Sequence, residues 1–182
     1  MPTTYLACPT GIVEAPIDVV WQLLTHLSGW GDFFDVRVQS VEPPGPAVKG
    51  QRMRGESGPR WLHLGVTFEY TLIDEPLHKL EMDVQLPFGI TVHEALDCVE
   101  LDCLGPAGVG PAGVEPAGER CRVNYHCHFG FRAGWRGALI RRLLGRQFTE
   151  GPADSLSRLK RAAERVHRAR KAETERAEKG RS

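Results

Sequence analysis

Leu62-His-Leu-Gly-Val-Thr-Phe-Glu-Tyr-Thr-Leu72 carries an apolar side chain at every second position. Successive side chains of a strand point to opposite faces, so this stretch reads as a strand with one apolar and one polar face. A strand of that kind belongs to an antiparallel sheet wetted on one side. Leu80, Met82, Val84 and Leu86 repeat the pattern after the turn at Glu75-Pro76. Residues 90–101 follow less cleanly, and Cys121, Val123, Tyr125, Cys127, Phe129 and Phe131 complete it. Upstream, 51–56 and 36–41 read as two further strands separated by Pro43-Pro44-Gly45-Pro46, and 4–14 reads as a single opening strand.

Helical spacing frames this sheet on both sides. Pro16 suits a first helical turn, where its missing N–H has no partner to lose. Val19, Val20, Leu23, Leu24 and Leu27 follow, Ser28-Gly29 stops the helix, and 30–34 form a second short turn. From Trp135 the period is again helical. Trp135, Leu139, Leu143 and Phe148 form one expected stripe, and Leu156, Leu159, Ala163 and Val166 another. Gly151-Pro152 is expected to break or bend the run between them.

The 182 residues suffice for one domain, set here at 1–168. Residues 169–182 lack any apolar side chain larger than Ala and are expected to fray as a charged tail. Gly105-Pro-Ala-Gly-Val109, Gly110-Pro-Ala-Gly-Val114 and Glu115-Pro-Ala-Gly-Glu119 form an imperfect repeat. That density of Pro and Gly resists a packed core, so 104–118 are expected to be a flexible loop between the last two strands.

A net charge of zero conceals a division. Residues 1–133 carry 9 Lys+Arg against 17 Asp+Glu, whereas 134–182 carry 14 against 6. A basic helix lying on an acidic sheet accounts for this, and so does a basic arm for RNA, a ribosome or an acidic protein. No apolar run reaches the roughly 18 residues of a membrane span, and residues 1–5 do not open a secretory leader, so a cytoplasmic protein is expected. The five cysteines, an odd number without a CxxC pair, read as reduced thiols. Phosphate-binding and dinucleotide motifs are absent, as is a Ser-His-Asp order, and no cofactor is expected.

The order strand, two short helices, six strands, long helix has a recognisable opening: Ile12-Val-Glu-Ala-Pro-Ile-Asp-Val-Val-Trp-Gln-Leu-Leu-Thr25, then Trp30 and Phe33-Phe34. It resembles the polyketide cyclase/dehydrase branch of the START-like (SRPBCC) superfamily, which includes the birch-pollen-allergen fold. The resemblance implies an α+β helix-grip fold, a curved antiparallel sheet of about seven strands around a long C-terminal helix. It also implies a cavity for a lipid, sterol or aromatic polyketide, with cyclisation, dehydration or hydrolysis in a minority of members. The motif is made of packing residues, so it speaks to fold more than to activity.

The apolar phases nominate Leu64, Val66, Phe68, Met82, Val84, Phe129, Trp135, Leu139 and Leu143 as ligand-lining residues, each equally compatible with plain core. Tyr70 and Tyr125 share those phases, and an inward phenol needs a partner, either a ligand oxygen or a backbone group. Glu94 shares the phase of Ile90 and Val92, which makes it a candidate inward carboxylate for proton transfer unless a bulge turns it out. Tyr70, Tyr125 and Glu94 are therefore the candidate catalytic residues. His93, His126 and His128 fall together on the opposite, wetted face, and their spacing is not that of a metal site.

Overall fold

The computed structural model describes residues 3–57, 64–101 and 119–180. Eight strands form one antiparallel sheet: β1 (Thr3–Ala7), β2 (Thr10–Val13), β3 (Arg37–Glu42), β4 (Arg52–Ser57), β5 (Leu64–Asp74), β6 (Lys79–Leu86), β7 (Ile90–Glu100) and β8 (Cys121–Phe131). The order across the sheet is β1-β8-β7-β6-β5-β4-β3, with β2 also on β8. Helix α1 (Ile17–Thr25) and a 3-10 helix (Leu27–Asp32) follow β2, and α2 (Trp135–Lys179) closes the chain. This is the helix-grip fold.

Four local expectations are corrected. The opening strand is two strands, because Pro9 has no N–H to give the ladder; its carbonyl instead accepts the Tyr125 N–H at 3.0 Å. The alternation of β5 stops short of Leu72, since a bulge between Tyr70 and Leu72 shifts the register and leaves Leu72 only half-buried. Gly151-Pro152 does not break the last helix, which runs continuously through Pro152 with that residue buried. Residues 169–179 are helical rather than frayed, as their Ala, Glu, Lys and Arg content favours. Leu62 and the repeat at 104–118 lie outside the described residues.

The concave face of the sheet is filled from α1 and the 3-10 segment. Trp30 stacks on Phe34 with ring centroids 4.6 Å apart and meets Phe68 and Tyr70 edge-on at 5.6 and 6.0 Å. Phe33 and Phe34 are buried with it. The carbonyl of Leu24, at the end of α1, accepts both the Trp30 indole N–H (3.2 Å) and the Tyr70 hydroxyl (2.6 Å), which ties this aromatic plug to β5. Helix α2 packs on β1, β2, β8 and α1. Its buried face from Phe148 onward carries Leu156, Leu159, Ala162 and Ala163, a spacing of three and four residues. Phe148 sets its ring 5.0 Å from Phe129 and 5.3 Å from Phe131.

The charge division has a structural counterpart. Arg170 of α2 pairs with Asp18 of α1 at 3.8 Å and bonds Gln22, and Lys171 reaches Glu119 at 3.9 Å. Part of the basic helix thus faces acidic groups of its own chain.

Candidate active site

Strand β7 keeps perfect alternation with both neighbours, so Glu94 points inward among Met82, its partner on β6, and Cys127, its partner on β8. No bulge turns it out. The Tyr125 hydroxyl donates to Glu94 Oε2 at 2.8 Å. Both side chains are buried, and the ring of Phe34 covers Tyr125 at a centroid distance of 6.2 Å. Burial disfavours the charged carboxylate and pushes the Glu94 pKa up to about 7, against a smaller opposing pull from the Tyr125 hydrogen bond and from His93. Tyr125 is held well above the ordinary phenol range, by burial first and by the Glu94 charge second. The Cys127 thiol, within hydrogen-bond reach of Tyr125, is likewise pushed up by burial and then by Glu94.

The arrangement is a carboxyl group poised near neutrality and joined to a phenol inside apolar walls. Near pH 7 it exchanges between a proton donor and a proton acceptor, the property general acid–base chemistry needs. Tyr70 is not part of it. Its hydroxyl is used by the Leu24 carbonyl and its pKa is raised by burial, which makes it a tie between elements rather than a group offered to a ligand.

Val66, Phe68, Met82, Val84 and Phe129 are buried on the concave side as the alternation requires, and Leu64 is half-buried at the start of β5. Trp135, Leu139 and Leu143 are not lining residues: they are 72%, 47% and 71% exposed. The reason is rotational. Steps of four keep Trp135, Leu139 and Leu143 together, but the step of five from Leu143 to Phe148 turns the helix by about 140°. Phe148 therefore faces the sheet while the other three face away. Sequence reasoning also missed Phe34 as the cover of the pair and Cys127 as its neighbour. Both follow only from register and from the path of the 3-10 segment.

Two hollows among the described residues lie at the surface rather than around Glu94. One, of about 150 Å³, lies between β2 and α2 at Gly11, Val13 and Leu156; the other, of about 240 Å³, lies by His26, Val41 and Pro46. On the outer face His93 stands opposite His128 and bonds Asp83 Oδ1 at 2.8 Å through Nδ1.

This fold, with a buried polar pair on its concave face, defines a helix-grip protein. The family model for polyketide cyclase/dehydrase and lipid transport matches residues 10–164, and the chain belongs to that family. No curated protein matches the sequence. Among solved structures the chain is similar to the Zhui aromatase/cyclase from Streptomyces sp. R1128, at 18% identity and a TM-score of 0.64 over 90% of this chain and 95% of that one. It is also similar to norcoclaurine synthase from Thalictrum flavum in complex with dopamine and hydroxybenzaldehyde, at 12% identity and a TM-score of 0.58 over 88% and 87%. A third is Ara h 8.0201, at 8% identity and a TM-score of 0.57 over 88% and 98%. Likeness at these identities concerns the fold. No helix among the described residues is long and apolar enough to cross a membrane.

Proposed function

We propose that this protein binds an apolar, oxygen-bearing aromatic or polyketide-like molecule against the concave face of the sheet, with Glu94 and Tyr125 as its polar anchor and proton-transfer pair. The observation that carries this reading is the buried Tyr125–Glu94 hydrogen bond with the carboxyl pKa near 7. A structural core has little use for a carboxylic acid in apolar surroundings, because an ionised one is costly to bury. The family's description names cyclase/dehydrase chemistry and lipid transport, and two of the similar structures are an aromatase/cyclase and a synthase holding two aromatic compounds. Both favour the same class of ligand.

The route in is through Phe34. Its ring covers Tyr125, and it stands two residues past the 3-10 helix, whose Trp30 meets Phe68 of the sheet edge-on. A ligand ring taking the place of Phe34 would meet Tyr125 at the same distance. Protonated Glu94 would donate to a ligand carbonyl, and ionised Glu94 would take a proton from the carbon beside it. Passing that proton to a hydroxyl on the next carbon lets it leave as water while a double bond forms between the two carbons, which is dehydration. Apolar contact would supply most of the affinity, about 25 cal/mol per Å² of buried apolar area.

Native mass spectrometry of the freshly purified protein, with titration of an apolar fluorescent probe, tests this. A co-purified small molecule, or probe binding near one per chain that strengthens in Phe34→Ala, is expected. Glu94→Gln and Tyr125→Phe should retain apolar binding while losing preference for carbonyl-bearing ligands. Absence of a co-purified molecule together with absence of probe binding to wild type and Phe34→Ala would sink the proposal.

A further inference from the structure

We infer that the first turns of α2 form a docking surface for an anionic lipid bilayer. Trp135, Leu139 and Leu143 recur every four residues and lie largely in solvent, on the side of the helix away from Phe148. The three together form a continuous apolar stripe, which a soluble protein seldom leaves uncovered. The same segment is strongly basic. Arg132, Arg136, Arg141, Arg142 and Arg146 fall between β8 and Thr149, and the first acidic residue of α2 is Glu150. On a helical wheel Arg142 and Arg146 sit beside the apolar stripe rather than opposite it.

A second element reaches the same end of the molecule. The turn between β6 and β7 presses against Arg132: a side chain at Gly89 would meet the Arg132 side chain at 2.9 Å, and one at Gly137 would meet the Arg132 carbonyl. Arg132 thus joins this turn to the first turn of α2. The turn carries Phe88, 64% exposed and at φ +65°, a left-handed conformation a bulky side chain rarely takes. It holds an aromatic ring in water, on the turn that Arg132 joins to α2.

Charge selects the occupant. A second copy of this chain seated on the stripe would set Arg142 and Arg146 against their own counterparts, so like charges would oppose that pairing. A nucleic acid would meet the arginines but would leave Leu139 and Leu143 without an apolar partner. A bilayer with anionic headgroups satisfies both, since an interfacial helix buries Trp and Leu at the acyl boundary while Arg meets the headgroups. The inference does not rest on the interior binding a ligand.

Co-sedimentation of the full chain with phosphatidylcholine vesicles, and with phosphatidylcholine vesicles containing phosphatidylserine, tests it. Binding to the phosphatidylserine vesicles is expected, falling as salt is raised. Arg142→Gln should weaken it about fivefold, and Arg146→Gln by less, because Arg146 already pairs with Glu150 at 2.9 Å. Leu139→Ser with Leu143→Ser should reduce it to the level of phosphatidylcholine alone, with circular dichroism unchanged because both side chains are in solvent. Wild-type fluorescence should shift to the blue with phosphatidylserine vesicles, and Trp135→Phe should remove that shift. Equal binding by the Leu139/Leu143 variant, no binding to either vesicle, or a dimer in sedimentation velocity that this variant abolishes would each overturn the inference.

Discussion

The two parts of α2 carry much the same apolar residues and meet opposite fates. From Phe148 to Val166 the apolar positions step by three and four and lie on the sheet and α1, with Leu156 and Leu159 buried. Trp135, Leu139 and Leu143 step evenly by four and are exposed. Hydrophobicity is similar, and what separates them is phase. A side chain is core only if its angle about the helix coincides with that of the element it must cover. The first part has its own contact with the body through Gly137, which is buried, and Ile140, which packs on the edge of the core.

Truncation gives the largest expected effect and the most direct way to break this contrast. Leu159→Ala should cost about 2–5 kcal/mol, as deletions in a close-packed core do. Leu143→Ala should stay within about 0.5 kcal/mol, as surface changes do. Urea denaturation of both variants reads the difference, and equal losses would mean that the first part of α2 is also packed.

The sheet beneath the helix offers an electrostatic version of the test. The Glu94 carboxyl has an ordinary pKa of 4.5 and is raised to about 7 in the folded chain. Between those values the folded protein holds a proton that the unfolded chain has released, so stability falls as pH rises through this window and is level on either side. The full loss, reached above pH 7, is on the order of 3 kcal/mol. Glu94→Gln should remove the slope and leave the variant more stable than wild type in alkaline buffer, measured by urea unfolding across pH. A Glu94 that is open to solvent would show no slope.

A smaller effect is expected where the first part of α2 touches the body. A Cβ at Gly137 would collide with the Arg132 carbonyl oxygen, so Gly137→Ala should force a backbone shift and cost about 1–3 kcal/mol. Faster hydrogen exchange confined to 135–147 would place that shift in the first part of the helix. The smallest effect belongs to the end of α2. Residues 172–180 are exposed, and deleting 172–182 leaves Arg170 and Lys171 with their partners, so the melting temperature should move within the equivalent of about 0.5 kcal/mol.

Strand phase and the inward aim of Glu94, Tyr125, Phe68 and Met82 were legible in the sequence, because alternation is a local property and survives any choice of neighbours. The family was legible for a related reason: the residues entering α1 and the aromatic cluster after it are packing residues held together in sequence. The break at Pro9 and the bulge at Tyr70 depend on which strand lies alongside, and alternation alone does not contain that. The same is true of the hydrogen bond between Glu94 and Tyr125, which requires the register of β7 on β8, and of the partner taken by Tyr70, which lies 46 residues away at Leu24. The stripe at Trp135 was visible as a stripe, but a helix read alone does not say which of its apolar faces the sheet will occupy. Only the packing of Phe148 onto Phe129 and Phe131 decides that, by anchoring one face and turning the other outward.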